Sequence, residues 1–116
     1  MSAIEIVDLA GKLLFLMFAG HCLSDFALQT GWMSEAKRGR VPGFPAWAAL
    51  TMHGAIHGGA VALVTGYWWL GAAETLLHAV IDGLKCRGVF GMKVDQALHL
   101  LCKFAWTAIV LVLAVP

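Results

Sequence analysis

Every histidine in this chain lies four residues from another histidine or from an aspartate. The pairs are His21/Asp25, His53/His57, His78/Asp82 and Asp95/His99. Residues four apart sit one above the other on a single face of an α-helix, and each pair falls in a different apolar stretch. Four helices that each aim two such ligands inward describe a binuclear metal site. Imidazole and carboxylate ligands without thiolate suit Zn²⁺, the favoured ion, and also Fe or Mn. The carboxylates of Asp25, Asp82 and Asp95 carry three negative charges. Two divalent cations with a bridging hydroxide cancel them, so charge balance predicts two metal ions.

The elements that must hold these residues are membrane helices. The chain is 60% hydrophobic, with mean hydropathy +0.80 and only 13% charged residues, against about 25% charged in soluble domains. At 116 residues it reads as a single transmembrane domain. The expected fold is all-α: a polytopic four-helix membrane bundle with helices over about 6–30, 46–65, 70–86 and 92–115. A formal net charge of +1 gives no sign of a nucleic-acid partner. Cys22, Cys86 and Cys102 match no CxxC motif, and their odd number argues against a disulfide framework. Glu5 and Asp8 precede the first apolar run, which lacks the basic start of a cleaved signal peptide, so that segment is expected to be retained.

Loop charge predicts the orientation. The segment GWMSEAKRGRVPGFP reads as a loop from its breakers and carries Lys37, Arg38 and Arg40; the last connection carries Lys85, Arg87 and Lys93. The connection around Gly66 has no basic residue but adjoins Tyr67, Trp68 and Trp69, which suit a membrane interface. The positive-inside rule puts the two basic loops in the cytoplasm and both termini outside, as for a bacterial inner-membrane protein. At 1.5 Å per residue the eight ligands then lie roughly 6–18 Å in from the cytoplasmic helix ends, in one layer. Hydrogen-bonding glue between membrane helices is the competing explanation. Four pairs at one depth weigh against it.

Other polar residues fall near this layer. Gln29 lies one turn past Asp25, and Gln96 follows Asp95; both are candidates to support the metals. Lys37 and Lys85 are candidates to neutralise an anionic substrate above the metals, or are simply positive-inside anchors. Glu74 and Lys103 are expected at mid-membrane as an ion pair. Gly54, Gly58 and Gly59 surround the second-helix histidines and suit close helix packing.

The ordered set His21-x-x-x-Asp25-Phe26-x-Leu28-Gln29 with Lys37 downstream, His53-x-x-x-His57, His78-x-x-Ile81-Asp82-x-x-Lys85 and Asp95-Gln96-x-x-His99 covers nearly the whole chain. It resembles an uncharacterised family of small polytopic membrane proteins of bacteria and their phages, known only as a domain of unknown function. The resemblance implies the fold and no activity. A looser similarity is to bacterial inner-membrane proteins described as metal-dependent hydrolases. That likeness is analogy, and the function expected rests on the site: a membrane-embedded binuclear-metal enzyme, a metal-dependent hydrolase, with Asp25, Asp82 or Asp95 or a metal-bound hydroxide as base. Its partners would be the lipid bilayer and an amphiphilic, phosphate-bearing small molecule, with a homo-oligomer left open. A di-iron oxidase or hydroxylase, and a metal or proton transporter, are the alternatives.

Overall fold

The computed structural model describes residues 1–116, and it is helical throughout with no strand. Helix α1 (Ala3–Cys22) begins with a capping box: Ser2 Oγ accepts from the Glu5 amide at 3.2 Å, and Glu5 accepts from the Ser2 amide at 2.6 Å. The α geometry gives way at Leu23–Ala27 to one π-helical turn, closed by the Leu28 amide on the Leu23 carbonyl at 2.8 Å. At its start the Ser24 hydroxyl donates to the Gly20 carbonyl at 2.8 Å, a back-bond that perturbs a helix. The continuous helix expected over 6–30 therefore ends early, and Gln29 no longer continues its stripe.

A short helix α2 (Gly31–Lys37) follows, inside the segment expected to be a loop. Gly31 is its first residue, where a breaker interrupts nothing, and Gly39, Pro42, Gly43 and Pro45 come after it. Thr30 supplies the cap, its hydroxyl accepting from the Met33 amide at 3.1 Å. Helix α3 (Ala46–Thr65) stops at Gly66, which takes φ 77°, a conformation open to glycine at little cost. Helices α4 (Trp68–Cys86) and α5 (Met92–Ala114) complete the chain.

Helices α3 and α4 form the closest pair. A Cβ on Gly58 would meet the Gly71 carbonyl oxygen at 2.3 Å and Thr75 Oγ1 at 1.9 Å; one on Gly71 would meet the Gly58 carbonyl oxygen at 2.5 Å. The two backbones touch there, as small residues permit in membrane helices. Helix α4 also packs on α5, α5 on α1, and α1 on α3, while α2 lies against α3. His21 near the end of α1 meets Gln96 near the start of α5 at 2.9 Å, so α1 and α5 run antiparallel.

Burial is inverted relative to a water-soluble protein. More of the buried side chains are polar or charged than hydrophobic, while Phe15, Leu63, Phe104 and Val112 are exposed. Three helical segments, Ala3–Ala27, Ala46–Thr65 and Met92–Ala114, are long and apolar enough to cross a membrane. Helix α4 is of similar length, but Glu74, Asp82 and Lys85 fall within it. The two carboxylates, Glu74 and Asp82, are buried against the other helices, so its outward face is more apolar than its composition. Leu13, Met17, Val61, Leu70, Trp106 and Val110 form the hydrophobic core. On each helix they lie on the side of the histidines away from α2.

Candidate metal centre

The five imidazoles converge at one level. The His57 and His78 rings stack with centroids 3.6 Å apart, and His99 stacks on His78 at 4.1 Å. His21 lies 5.1 Å from His57, and His53 4.8 Å from it. All five are at most 2% exposed.

Asp25 is the hub. The π turn presents its carboxylate to three helices at once. Oδ1 lies 3.1 Å from His53 Nε2, 2.9 Å from His57 Nε2 and 3.8 Å from His78 Nε2. Oδ2 lies 3.4 Å from His21 Nε2 and accepts from Gln96 Nε2 at 3.0 Å. A single widened turn at a functional residue is a recurrent use of π geometry.

Asp25, His53, His57 and His78 each offer one ligand atom, and these atoms all lie within 4.8 Å of one another. A tetrahedral zinc ion with ligands at about 2.0–2.2 Å spans donor separations of roughly 3.4 Å. Closure by up to roughly 1.4 Å between the furthest donors would complete such a shell. The state of the rings fits that purpose. Both nitrogens of His78 are buried without a hydrogen-bond partner, and so are the Nδ1 atoms of the other four histidines. Unpartnered buried nitrogens are costly and scarce; of these six only His78 Nε2 faces the other donors, and a cation held with Asp25, His53 and His57 would satisfy it. Three imidazoles and a carboxylate are a borderline donor set suited to zinc or divalent iron.

The remaining ligand candidates form a second ring of contacts. Asp95 Oδ1 lies 3.2 Å from His99 Nε2, and Asp95 Oδ2 accepts from Gln96 Nε2 at 3.0 Å. Gln96 also meets His21 Nε2, so this one amide links His21, Asp25 and Asp95. Asp82 sits to the other side, 3.9 Å from His53 Nε2. Its Oδ2 accepts from Lys37 Nζ at 2.6 Å, and its Oδ1 lies 3.0 Å from Lys85 Nζ. Lys85 also approaches Asp95 Oδ2 at 3.6 Å.

Lys37 thus occupies a different place from the rim expected of it. The short helix α2 turns it inward, only 4% exposed, where it donates to Asp82 and, at 2.5 Å, to Gln29 Oε1. Gln29 accordingly holds Lys37 and makes no hydrogen bond to the imidazoles. The two lysines change the charge count that pointed to two metals. Three aspartates against two ammonium groups leave one net negative charge, which a single divalent ion carrying a hydroxide cancels.

Beyond the imidazoles Glu74 and Lys103 form the expected ion pair, in direct contact. Trp106 Nε1 donates to Glu74 Oε2 at 2.6 Å, and Glu74 Oε1 lies 3.8 Å from His78 Nδ1. Trp106 was not singled out in the sequence, although it lies three residues past Lys103 on the same helix face. Ser24 was not singled out either; a serine inside an apolar helix carries no positional signal for a π turn.

A family profile described as a protein of unknown function (DUF3307) matches residues 13–115. The chain belongs to that family. The matched region contains every ligand candidate and both buried lysines. No curated protein and no solved structure matches the chain. Membership in DUF3307 assigns no activity, and the chemistry has to be read from the site itself.

Proposed function

We propose that the protein is a metal-dependent hydrolase embedded in a bacterial inner membrane, acting on an amphiphilic, phosphate-bearing substrate. The observation that carries this reading is the buried cluster of Asp25, His53, His57 and His78, with donor atoms within 4.8 Å of one another. These four would hold the principal ion. The two sides of the Asp25 carboxylate favour a second reading with two metals: Oδ2 faces away from His53 and His57, toward His21 and the amide that reaches Asp95. His21, Asp95 and His99 would then hold the second ion.

When bound, a divalent metal lowers the pKa of its water and polarises an ester or phosphoryl oxygen. The chain's own residues do the rest. Gln96 fixes the Asp25 and Asp95 carboxylates, and Lys37 and Lys85 hold Asp82 and balance its charge. Glu74 faces the outer nitrogen of His78, the position from which a carboxylate orients a ligand histidine. The apolar core that follows Glu74 and Lys103 supports an enzyme over a transporter, because it puts Leu13, Met17, Val61 and Leu70 where a conduit would need polar lining.

The basic residues Arg38, Arg40 and Arg87 lie in the connections at the α2 end, and Lys37, Lys85 and Lys93 in the helix turns that adjoin them. The positive-inside rule supports four spans, both termini outside, and a metal layer nearer the cytoplasmic face. Reporter fusions at the C-terminus check this: a periplasmic signal is expected, and a cytoplasmic one would reverse the topology.

The function is tested by screening purified protein, with zinc, iron or manganese supplied, against phosphate esters and lipid esters. Hydrolysis that chelator removes and that His57→Ala abolishes is the expected result. A dioxygen-dependent reaction with a visible iron absorption band would replace hydrolase by oxidase.

A further inference from the structure

The rim at the α2 end carries a feature separate from the imidazole cluster. A cavity of about 150 Å³ is bounded by Lys37, Arg38 and Arg87 on its polar side and by Trp47 and Leu50 on its apolar side. It adjoins a furrow of about 220 Å³ between α3 and α4, walled by Ala79, Val80 and Leu84. The two share Leu50, Gly83 and Arg87. Gly83 keeps the junction low, since a Cβ there would meet only the Leu50 side chain, at 3.3 Å.

The charges of this rim are not equivalent. Lys37 spends its ammonium on Asp82, and Arg40 lies 3.6 Å from Glu35. Arg38 and Arg87 are exposed and pair with no carboxylate, yet they line the same cavity. Trp47 is 71% exposed beside them, as an interfacial tryptophan is at headgroup depth. Guanidinium groups suit phosphate oxygens through paired hydrogen bonds. An open apolar furrow running on from them along two membrane helices suits a hydrocarbon chain.

We propose that this composite groove binds an anionic membrane phospholipid, with its phosphate between Arg38 and Arg87 and the start of one acyl chain along Leu50, Val80 and Leu84. The proposal rests on the enzyme reading above for its purpose: Lys37 forms part of the cavity wall and on its inner side holds Asp82, so a lipid seated here lies next to the proposed metal centre. The groove is then the substrate's entrance from the cytoplasmic leaflet.

The test uses the full chain in nanodiscs of phosphatidylcholine containing phosphatidic acid, with retained lipid read by native mass spectrometry. Wild-type protein is expected to retain phosphatidic acid in preference to phosphatidylcholine. Arg38→Gln with Arg87→Gln should weaken that preference by about tenfold or more, as loss of charged hydrogen bonds implies. Val80→Trp, which blocks the furrow and leaves every charge in place, should weaken it too. Lys93→Gln, which removes an exposed basic residue outside the groove, should not. The proposal is overturned if the arginine variants keep the preference, if Lys93→Gln loses it equally, or if inorganic phosphate displaces the lipid. Metal content measured on the same samples separates the two claims. Preferential lipid retention without metal keeps the groove and removes the enzyme; metal without lipid preference does the reverse.

Discussion

At the scale of single residues, the interior is held by charges that depend on one another. Lys103 is 3% exposed and has one carboxylate, Glu74, which also takes the Trp106 indole N–H. Removing one member of a buried pair strands the other at a cost of about 3–5 kcal/mol, whereas removing both is far cheaper. Lys103→Met should therefore destabilise the protein strongly in detergent unfolding experiments, and Glu74→Gln with Lys103→Met should recover most of the loss. Equal destabilisation by the single and double variants would show that the pair is not coupled. The ligand candidates were legible in the sequence because helical spacing alone pairs His53 with His57 and His21 with Asp25. Their sorting was not. Spacing cannot show that Asp25 reaches three helices, or that Asp82 answers two lysines. Those facts depend on how the helices are rotated against one another.

At the scale of elements, the decisive contacts are made by glycine. Gly58 and Gly59 are neighbours in sequence and opposites in structure. A Cβ on Gly58 would collide with the α4 backbone, while one on Gly59 would meet nothing within 4 Å. Gly58→Ala must push α3 and α4 apart, for which overpacking costs of about 1–3 kcal/mol are typical. Gly59→Ala should be neutral or stabilising by up to about 1 kcal/mol, because alanine is the better helix former. Thermal or denaturant midpoints of the two variants check this, and a Gly59→Ala protein as unstable as Gly58→Ala would refute the packing described. The sequence pointed to this glycine face but could not say which of its glycines met a partner. It also could not show α2, which is too short to display a hydrophobic period between its glycines. The π turn was equally hidden, since α and π turns share the same residue preferences. That pair of local features is what brings Asp25 and Lys37 inward.

At the scale of the molecule, the chain is arranged as a membrane protein with its chemistry inside: apolar residues face outward, and the polar layer is enclosed by helices α1, α3, α4 and α5. Placing these ionisable groups inside membrane helices is expensive, and the buried nitrogens without partners add to that cost. A cation held by Asp25, His53, His57 and His78 would offset part of it, by meeting the carboxylate charge and the free His78 Nε2. The direct measurement is metal content by elemental mass spectrometry, on protein purified without chelator or added metal, compared with His53→Ala and His57→Ala. We expect about one divalent transition metal ion per chain from the charge balance of the three aspartates and two lysines, and loss of that ion in both variants. A content near zero that reconstitution does not raise, or full occupancy in both variants, would contradict the account.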